Sequence, residues 1–250
     1  MILGIYSKKK QLGSGFGDTK RTAEQKTYWF VRRLDDDNYE IQPLNQNHVP
    51  SGVTLTVSKG AFMTEYVPEI DYYERRTLPA LQTLHRKMER GEEFLQMDQL
   101  DAAESEFAKA LYIDEDNPQA SLRLGDIACR KKDFRKLKQA LQRVMGIDQI
   151  FVETERHRFN EFGMSLRKGG FFSEAVAYYT KALQINSQDE HLYFNIARVF
   201  FEMGDQAACI QHLEDALRIN PDFEQAHQFL NHCRQTPHSV AGTQPDLESP

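Results

Sequence analysis

The stretch that decides the fold is FGMSLRKGGFFSEAVAYYTKALQIN, residues 162–186, because it has two counterparts elsewhere in the chain. Residues 90–114, RGEEFLQMDQLDAAESEFAKALYID, and residues 196–221, IARVFFEMGDQAACIQHLEDALRINP, align with it. In each stretch, apolar or small residues recur at three- and four-residue steps on both sides of a short polar turn. This pattern predicts two amphipathic helices joined by a turn, repeated along the chain.

The repeat has a period that four separate positions share. At each position, equivalent residues are separated by intervals of 34, 38 and 34 residues. The four series are Gly91, Gly125, Gly163 and Ala197; Ala103, Leu137, Ala175 and Cys209; Phe107, Leu141, Tyr179 and Leu213; and Ala110, Val144, Ala182 and Ala216. One pair of helices cannot bury its apolar face alone, so we expect the units to stack.

This unit resembles the tetratricopeptide repeat, whose period is 34 residues. The series that starts at Gly91 matches the family's small first-helix residue, and Pro221 matches its terminal proline. The second unit departs most from the family, since Leu137 and Val144 replace its alanines. The resemblance covers roughly two thirds of the chain. It implies a mainly α fold, an α-solenoid of about four helix-turn-helix repeats plus a capping helix.

The sequence predicts three parts: a small β-rich module at residues 1–70, the repeat superhelix at 71–235 and a disordered tail at 236–250. The 38-residue interval adds about one helical turn, so the second helix of the second unit is expected to run long or to end in a wider loop. The repeats are expected at about 84–117, 118–151, 156–189 and 190–223, and the capping helix at 224–235.

The N-terminal module has the alternation that is typical of strands. KTYWFVRRL and YEIQPL flank the turn DDDN, VTLTV resembles a further strand, and ILGIY is a candidate for one more. Ser58 is expected to cap a short helix, and a helical run from Pro68 is expected to bend near Pro79. The module is expected to pack on the first repeat through Tyr28, Trp29, Phe30 or Tyr39.

The glycine-rich stretch QLGSGFGDTKRT, residues 11–22, superficially resembles a phosphate-binding loop. A Walker-type loop needs four residues between two glycines and a lysine directly after the second, and a dinucleotide loop needs GxGxxG. Here Gly13, Gly15 and Gly17 alternate, and two residues separate Gly17 from Lys20. Neither spacing is present. We interpret the stretch as a flexible basic surface loop, with a loop that folds onto a partner as the alternative.

Composition and cysteine usage favour a cytoplasmic protein. The formal net charge is -6, and no apolar run approaches the length that spans a membrane. The positive charges at the start follow a short apolar run, which is the reverse of a signal peptide. The three cysteines show no paired spacing, which argues against a disulfide-stapled secreted domain. We therefore expect a reducing compartment and no membrane partner.

No pattern predicts catalysis, a metal or a cofactor. No serine, cysteine or carboxylate stands in a context that resembles an activated nucleophile or an acid–base pair. DDDN lacks the spaced oxygens of a calcium loop and is typical of a turn. A zinc set built from Cys209, His212, His227, His232 and Cys233 is disfavoured, because Cys209 occupies a small position of the repeat. The chain is predicted not to be an enzyme.

The resemblance to the tetratricopeptide family places a ligand groove along the first helices of the repeats, where the family binds peptides. Asparagine amides bind a peptide backbone, arginines bind carboxylates, and Phe or Met form apolar pockets. The groove positions that it implies are Arg123, Asn160, Met164, Arg167, Phe194, Asn195, Arg198 and Phe201. Asn195 matches an asparagine of the family's chaperone-tail clamp, but the clamp lysines are absent, and a structural role for Asn195 remains open.

The predicted function is a non-catalytic scaffold or adaptor that binds a partner protein or peptide in this groove. The alternative from a different class is binding of nucleic acid or another anionic polymer through the N-terminal basic residues. These are Lys8, Lys9, Lys10, Lys20 and Arg21. Nucleic acid is the less favoured partner, because acidic residues lie in the same hairpin and the chain is acidic overall. Self-association into a homo-oligomer is a third interpretation.

Overall fold

The computed structural model describes residues 1–14, 21–147, 150 and 156–235, and for residues 11–14, 21–24, 156 and 158 it defines the backbone alone. The chain divides into two compact units, Met1–Ser121 and Leu122–Pro250. The first repeat falls within the first unit, and the boundary expected near residue 70 remains a prediction. The expected tail and Lys20 lie outside the described residues.

The first unit begins with an antiparallel sheet of five strands in the order β4-β3-β2-β1-β5. The predicted hairpin across DDDN joins the second strand to the third, so the expected β-rich module is confirmed. The strands are β1 (Ile2–Ser14), β2 (Arg21–Arg33), β3 (Asn38–Pro43), β4 (Leu55–Ser58) and β5 (Tyr66–Pro68).

The prediction of a flexible loop at residues 11–22 was wrong at both of its ends. β1 continues to Ser14, β2 begins at Arg21, and these two residues are paired across the hairpin. The register is continuous here, with Gly13 opposite Thr22 and Ser14 opposite Arg21. The basic residues 8–10 and Arg21 therefore belong to strands.

Helical segments follow the sheet and contact it. Helix α1 (Lys59–Glu65) is capped by Ser58, whose hydroxyl accepts a hydrogen bond from the Ala61 N–H at 3.4 Å, as expected. The buried ring of Phe62 in α1 stacks on Tyr39 of the sheet, with ring centroids 4.2 Å apart. Tyr28 stacks instead on Tyr72 of the next helical segment, at 4.0 Å. Tyr72 precedes the first repeat, so this contact does not test the expected packing of Tyr28 on that repeat. Tyr39 belongs to the module's own core.

The helical run after β5 comprises α2 (Ile70–Tyr72), a π-helical turn (Tyr73–Thr77) and α3 (Leu78–Gln96). The irregularity occurs where a bend was expected, because Pro79 has no N–H to continue the helical bonding. The Leu78 N–H bonds the Tyr73 carbonyl, five residues earlier.

The repeats form successive helix pairs. After α3 these are α4 (Leu100–Ile113), α5 (Pro118–Lys131), α6 (Phe134–Met145), α7 (Arg156–Gly169), α8 (Phe172–Ile185), α9 (Glu190–Met203), α10 (Gln206–Ile219) and α11 (Glu224–Gln235). The predicted fold class, tandem repeat pairs with a capping helix after a small β-rich module, is confirmed. Among the described residues, no helix is long and apolar enough to cross a membrane.

The small positions of the repeat allow close approach of aromatic rings. A Cβ added to Gly91 would lie 2.6 Å from the Phe107 ring, and one added to Gly163 would lie 2.4 Å from the Tyr179 ring. Both distances are far shorter than a carbon–carbon contact. The glycines are therefore required by packing, and the period of the sequence reflects this packing.

The extra residues of the 38-residue interval do not lengthen helix α6. Helix α6 ends at Met145 after 12 residues, whereas α8 and α10 each have 14. Helix α7 begins at Arg156. The expectation that the second helix of the second unit runs long is therefore wrong, and the alternative of a wider loop falls mostly on residues outside the described ones.

Candidate functional site

A cleft of about 430 Å³ lies on the first helices of the last two repeats and at the start of the capping helix. Helices α7 and α9 provide Asn160, Met164, Phe194 and Asn195, all four of which were predicted groove residues. The other lining residues are His191, Phe223 and Gln225. We refer to these seven residues as the cleft.

An amide pair spans α7 and α9 within the cleft. The side-chain N–H of Asn195 donates to the Asn160 Oδ1 at 3.2 Å. This bond uses one donor of Asn195 and one acceptor of Asn160, so the Asn195 Oδ1 and the Asn160 Nδ2 remain for other partners. In the part of the chain that the structure describes, neither of these two atoms has a further hydrogen bond. A peptide backbone offers the complementary donor and acceptor.

Aromatic rings form the apolar side of the cleft. The Phe194 ring lies 5.2 Å from the ring of the buried Phe223, and the His191 ring meets Phe223 edge-on at 4.8 Å. His191 is placed by the first turn of α9, where its N–H bonds the Asp189 carboxylate at 2.9 Å. Because residues three and four apart share a helix face, His191, Phe194 and Asn195 are brought together.

The sequence analysis missed His191, Phe223 and Gln225. His191 stands three residues before the predicted Phe194, and this spacing was a usable signal. Phe223 and Gln225 lie at the start of the capping helix, which was treated only as a cover for the last repeat. Their position two and four residues after Pro221 corresponds to the start of a further first helix, so extending the groove into α11 would have found them.

Two of the predicted groove arginines are paired within the protein. The Arg123 guanidinium contacts the Glu161 carboxylate at 3.1 Å, and Arg167, which is only 8% exposed, forms an ion pair with Glu202. Burial, together with the nearby positive charge of Arg198, lowers the pKa of Arg167. The carboxylate partners that we expected from a ligand are therefore supplied by neighbouring first helices of the repeats.

The remaining groove residues lie on α9. The Arg198 guanidinium lies over the Phe194 ring, 6.0 Å from its centroid. Phe201, two turns from Phe194, contacts the ring of Phe229 at 5.1 Å and that of His232 at 5.7 Å. Phe201 therefore packs against the capping helix, while Arg198 adds positive charge beside the cleft.

The residues of the predicted anion-binding loop do not converge on one described site. Lys8 forms an ion pair with Glu65, and this hydrogen bond raises the pKa of Lys8. Lys9 and Lys10 are exposed on successive positions of β1, which point to opposite faces of the sheet. Arg21 has strand backbone.

The residues considered for zinc are distributed between two environments. Among the described residues, no group of three or more His, Cys, Asp or Glu side chains is placed to hold a metal ion. The sulfurs of Cys209 and Cys233 lie 3.4 Å apart in the buried contact of α10 with α11, and burial raises the pKa of the Cys209 thiol. His212 instead stacks on Phe200 at 5.3 Å.

Comparisons with known proteins bear on the repeats. Two family models described as tetratricopeptide repeat match residues 87–117 and 167–233. The chain is 30% identical over 105 residues to a heat shock protein sti1 homolog of Schizosaccharomyces pombe, which covers 42% of this chain and 17% of the relative. It is 30% identical over 93 residues to the photosystem I assembly protein Ycf3 of Prochlorococcus marinus, covering 36% of this chain and 53% of the relative. The chain thus spans about half or less of the length of these relatives.

Solved structures show a more distant likeness. A crystal structure of MamA protein has 19% identity and a TM-score of 0.45, covering 62% of this chain and 82% of that one. A structure of pilF from Pseudomonas aeruginosa has 17% identity and a TM-score of 0.46, covering 63% and 70%. Because these identities and TM-scores are low, the fold assignment does not rest on these structures. It rests on the chain's own helix pairs and on the two repeat matches.

Proposed function

Residues 87–117 and 167–233 of this chain are tetratricopeptide repeats, and from this premise we propose that it is a non-catalytic scaffold that binds a partner protein or peptide in the cleft. The observation that carries the proposal is the Asn160–Asn195 amide pair beside the Phe194 and Phe223 rings. This arrangement suits an extended segment whose backbone bonds the amides while an apolar side chain contacts the rings.

The relatives are compatible with a scaffold role. Ycf3 is named as an assembly protein for photosystem I, and an assembly role of this general kind needs a surface that binds other proteins. The proposal extends only to that general role, since the matched region is about half of Ycf3. We also retain the expectation of a reducing, cytoplasmic compartment, which rests on the odd number of cysteines and their lack of paired spacing in the sequence.

The proposal is tested by capture of partners from source-cell lysate at moderate salt. The cleft variant combines Phe194→Ala with Asn195→Ala, and Gln211→Ala on the exposed face of α10 is the matched control. Circular dichroism establishes that each variant is folded. We expect a protein that is retained by the wild type and by Gln211→Ala, and lost by the cleft variant. Calorimetry with that purified protein then measures the affinity.

Two results would contradict the proposal. Equal capture by all three proteins would show that the cleft is not the binding surface. Release of the captured material by nuclease would favour the nucleic-acid interpretation. The ion pairs of Lys8 with Glu65 and of Lys26 with Glu69 count against that interpretation, because they neutralise part of the basic charge.

A further inference from the structure

The second strand of the sheet extends well beyond its neighbour. β2 has 13 residues, but β3 pairs only with Trp29–Arg33. The Leu44 N–H still bonds the Tyr28 carbonyl at 3.2 Å, and the chain then turns back to a bridge between Leu44 and Pro50. On this side, no strand among the described residues lies beside Arg21–Thr27. We call this segment the open edge.

The open edge presents backbone groups in strand geometry. The Tyr28 carbonyl points toward the β3 side, and in an antiparallel strand both backbone groups of alternate residues point the same way. The N–H and C=O of Lys26 therefore point outward, whereas those of Thr27 face β1. Within the described chain, neither group of Lys26 has a backbone partner. Such an unpaired row is a template for a further strand.

A pocket of about 340 Å³ lies beside the open edge. It reaches both faces of β2, because Lys26 and Tyr28 point to one face and Thr27 and Trp29 to the other. One wall is the stacked pair of Tyr28 and Tyr72, with ring centroids 4.0 Å apart. A side chain from a strand added at the edge would enter this aromatic pocket.

The opposite wall of the pocket is held in place by hydrogen bonds. Asn45 donates to the Ile113 carbonyl at 2.8 Å, and Asn47 donates to the Tyr112 carbonyl at 2.7 Å, so the loop after β3 is fastened to the end of α4. The ring nitrogen of His48 and the Tyr72 hydroxyl are also 2.8 Å apart. A pre-formed pocket reduces the entropy that binding must overcome.

The charge of the hairpin selects the partner. Residues 8–14 and 21–27 carry five basic residues and one acidic residue, Glu24. Ion pairs with Glu65 and Glu69 offset the charges of Lys8 and Lys26. The other basic residues of the hairpin, Lys9, Lys10 and Arg21, still outnumber Glu24, and this net positive charge favours an acidic strand. A second copy of the same edge would instead add a further set of the same basic residues.

We propose that the open edge of β2 binds an extended acidic peptide segment as an additional strand, with an apolar side chain of that segment in the pocket of Tyr28 and Tyr72. The peptide backbone supplies an acceptor for the Lys26 N–H and a donor for its C=O. A polynucleotide does not offer such groups at the spacing of a strand. This site lies in the first unit and is independent of the cleft.

The sequence has a single tryptophan, Trp29, and it lines the pocket, so its fluorescence is a probe of occupancy there. The probes are short peptides that alternate glutamate with valine, isoleucine, phenylalanine or tyrosine, titrated into the full chain. Matched peptides with lysine in place of glutamate and an oligo-dT strand are the controls. We expect acidic probes to change the emission saturably, and the lysine peptides to bind at least about 10-fold more weakly.

Two substitutions at one residue separate backbone pairing from charge. Lys26→Pro removes the outward N–H, a change tolerated at a strand edge, whereas Lys26→Gln keeps it. Both variants lose the charge, the ion pair with Glu69 and the contact with the Tyr28 ring, so their difference reports the N–H. We expect Lys26→Pro to weaken probe binding by about 10-fold or more, and Lys26→Gln by about 3-fold. Thermal unfolding establishes that both variants are folded. In the wild type, the bound probe should also slow hydrogen exchange of the Lys26 amide.

Several outcomes would overturn the proposal. These are no emission change with any acidic probe at about 1 mM, equal weakening by the proline and glutamine variants, or stronger binding of oligo-dT than of the peptides. An emission change on concentrating the protein alone would indicate a second copy as the occupant. The cleft variant, Phe194→Ala with Asn195→Ala, should keep full probe binding. A negative result for the open edge therefore does not count against the proposed function of the cleft, and the reverse also holds.

Discussion

The amide of Asn195 on α9 donates to the side-chain oxygen of Asn160 on α7, 3.2 Å away, and so joins the first helices of two successive repeats inside the cleft. Asn160→Asp tests whether this pair also serves a ligand. The aspartate can still accept from Asn195 but has no N–H to donate. We expect partner affinity to fall about 10-fold while the free energy of unfolding changes by less than about 1 kcal/mol.

For Asn160→Asp, calorimetry with the captured partner measures the affinity, and urea unfolding measures the free energy of unfolding. The control is Asn160→Ala, which also removes the contact with Asn195. If only the stability responds, and affinity is unchanged in both variants, the amide pair is structural.

Gly163→Ala tests the close packing of α7 on α8. The new Cβ would lie 2.4 Å from the ring of Tyr179, which is 1% exposed and has no room to move. We expect a loss of about 1–3 kcal/mol in the free energy of unfolding, measured with urea. Gly60→Ala in α1 is the control, since nothing lies within 4 Å of its Cβ position. That helical change should be neutral or slightly stabilising, and a similar loss in both variants would contradict the packing argument.

The buried thiol of Cys129 predicts lower stability at alkaline pH. Burial raises the pKa of Cys129 to about 12. Between the ordinary thiol pKa of about 8.5 and that value, the unfolded chain loses the proton and the folded protein keeps it. The free energy of unfolding should therefore fall as the pH rises above about 9.

Cys129→Ala removes this titrating group, and the decline with pH should then be shallower. Urea unfolding at a series of pH values measures the slope for both proteins. The variant should be less stable overall, so only the slope tests the prediction. Identical slopes in the two proteins would show that Cys129 does not contribute.

Asn45 fixes the loop beside the sheet to the end of α4. Its amide donates to the Ile113 carbonyl at 2.8 Å, and its own oxygen accepts from the Asn47 N–H at 2.9 Å. Asn45→Ala should destabilise the first unit by about 1–3 kcal/mol, because it leaves partly buried backbone groups unpaired. Hydrogen exchange of the amides in residues 44–51 provides the measurement. The neighbouring exposed Gln46→Ala is the control, and comparable exchange in both variants would argue against an anchoring role.

Local patterns predicted the helices better than they predicted the site. The Gly163 series gave the helix pairs because Gly91 and Gly163 each face an aromatic ring in the next helix. The alignment of the repeats predicted Asn160 and Asn195 as groove residues, and both line the cleft. It did not predict that Arg167 is paired with Glu202, because the carboxylate lies 35 residues away and its approach depends on how α9 packs on α7.

The sequence by itself determined the repeat period, the positions of the helix pairs and the two strands on either side of DDDN. It did so because local residue types carry the helix and strand periodicity and the small residues of close packing. The tertiary structure alone decided which polar groups remain for a ligand. Three features depend on contacts between residues distant in sequence. These are the Asn160 and Asn195 atoms that have no partner among the described residues, the internal ion pair of Arg123, and the edge of β2 that no described strand covers beside Lys26. Local patterns do not encode such contacts, because the length of a strand pair and the choice of an ion-pair partner are fixed only when whole elements pack.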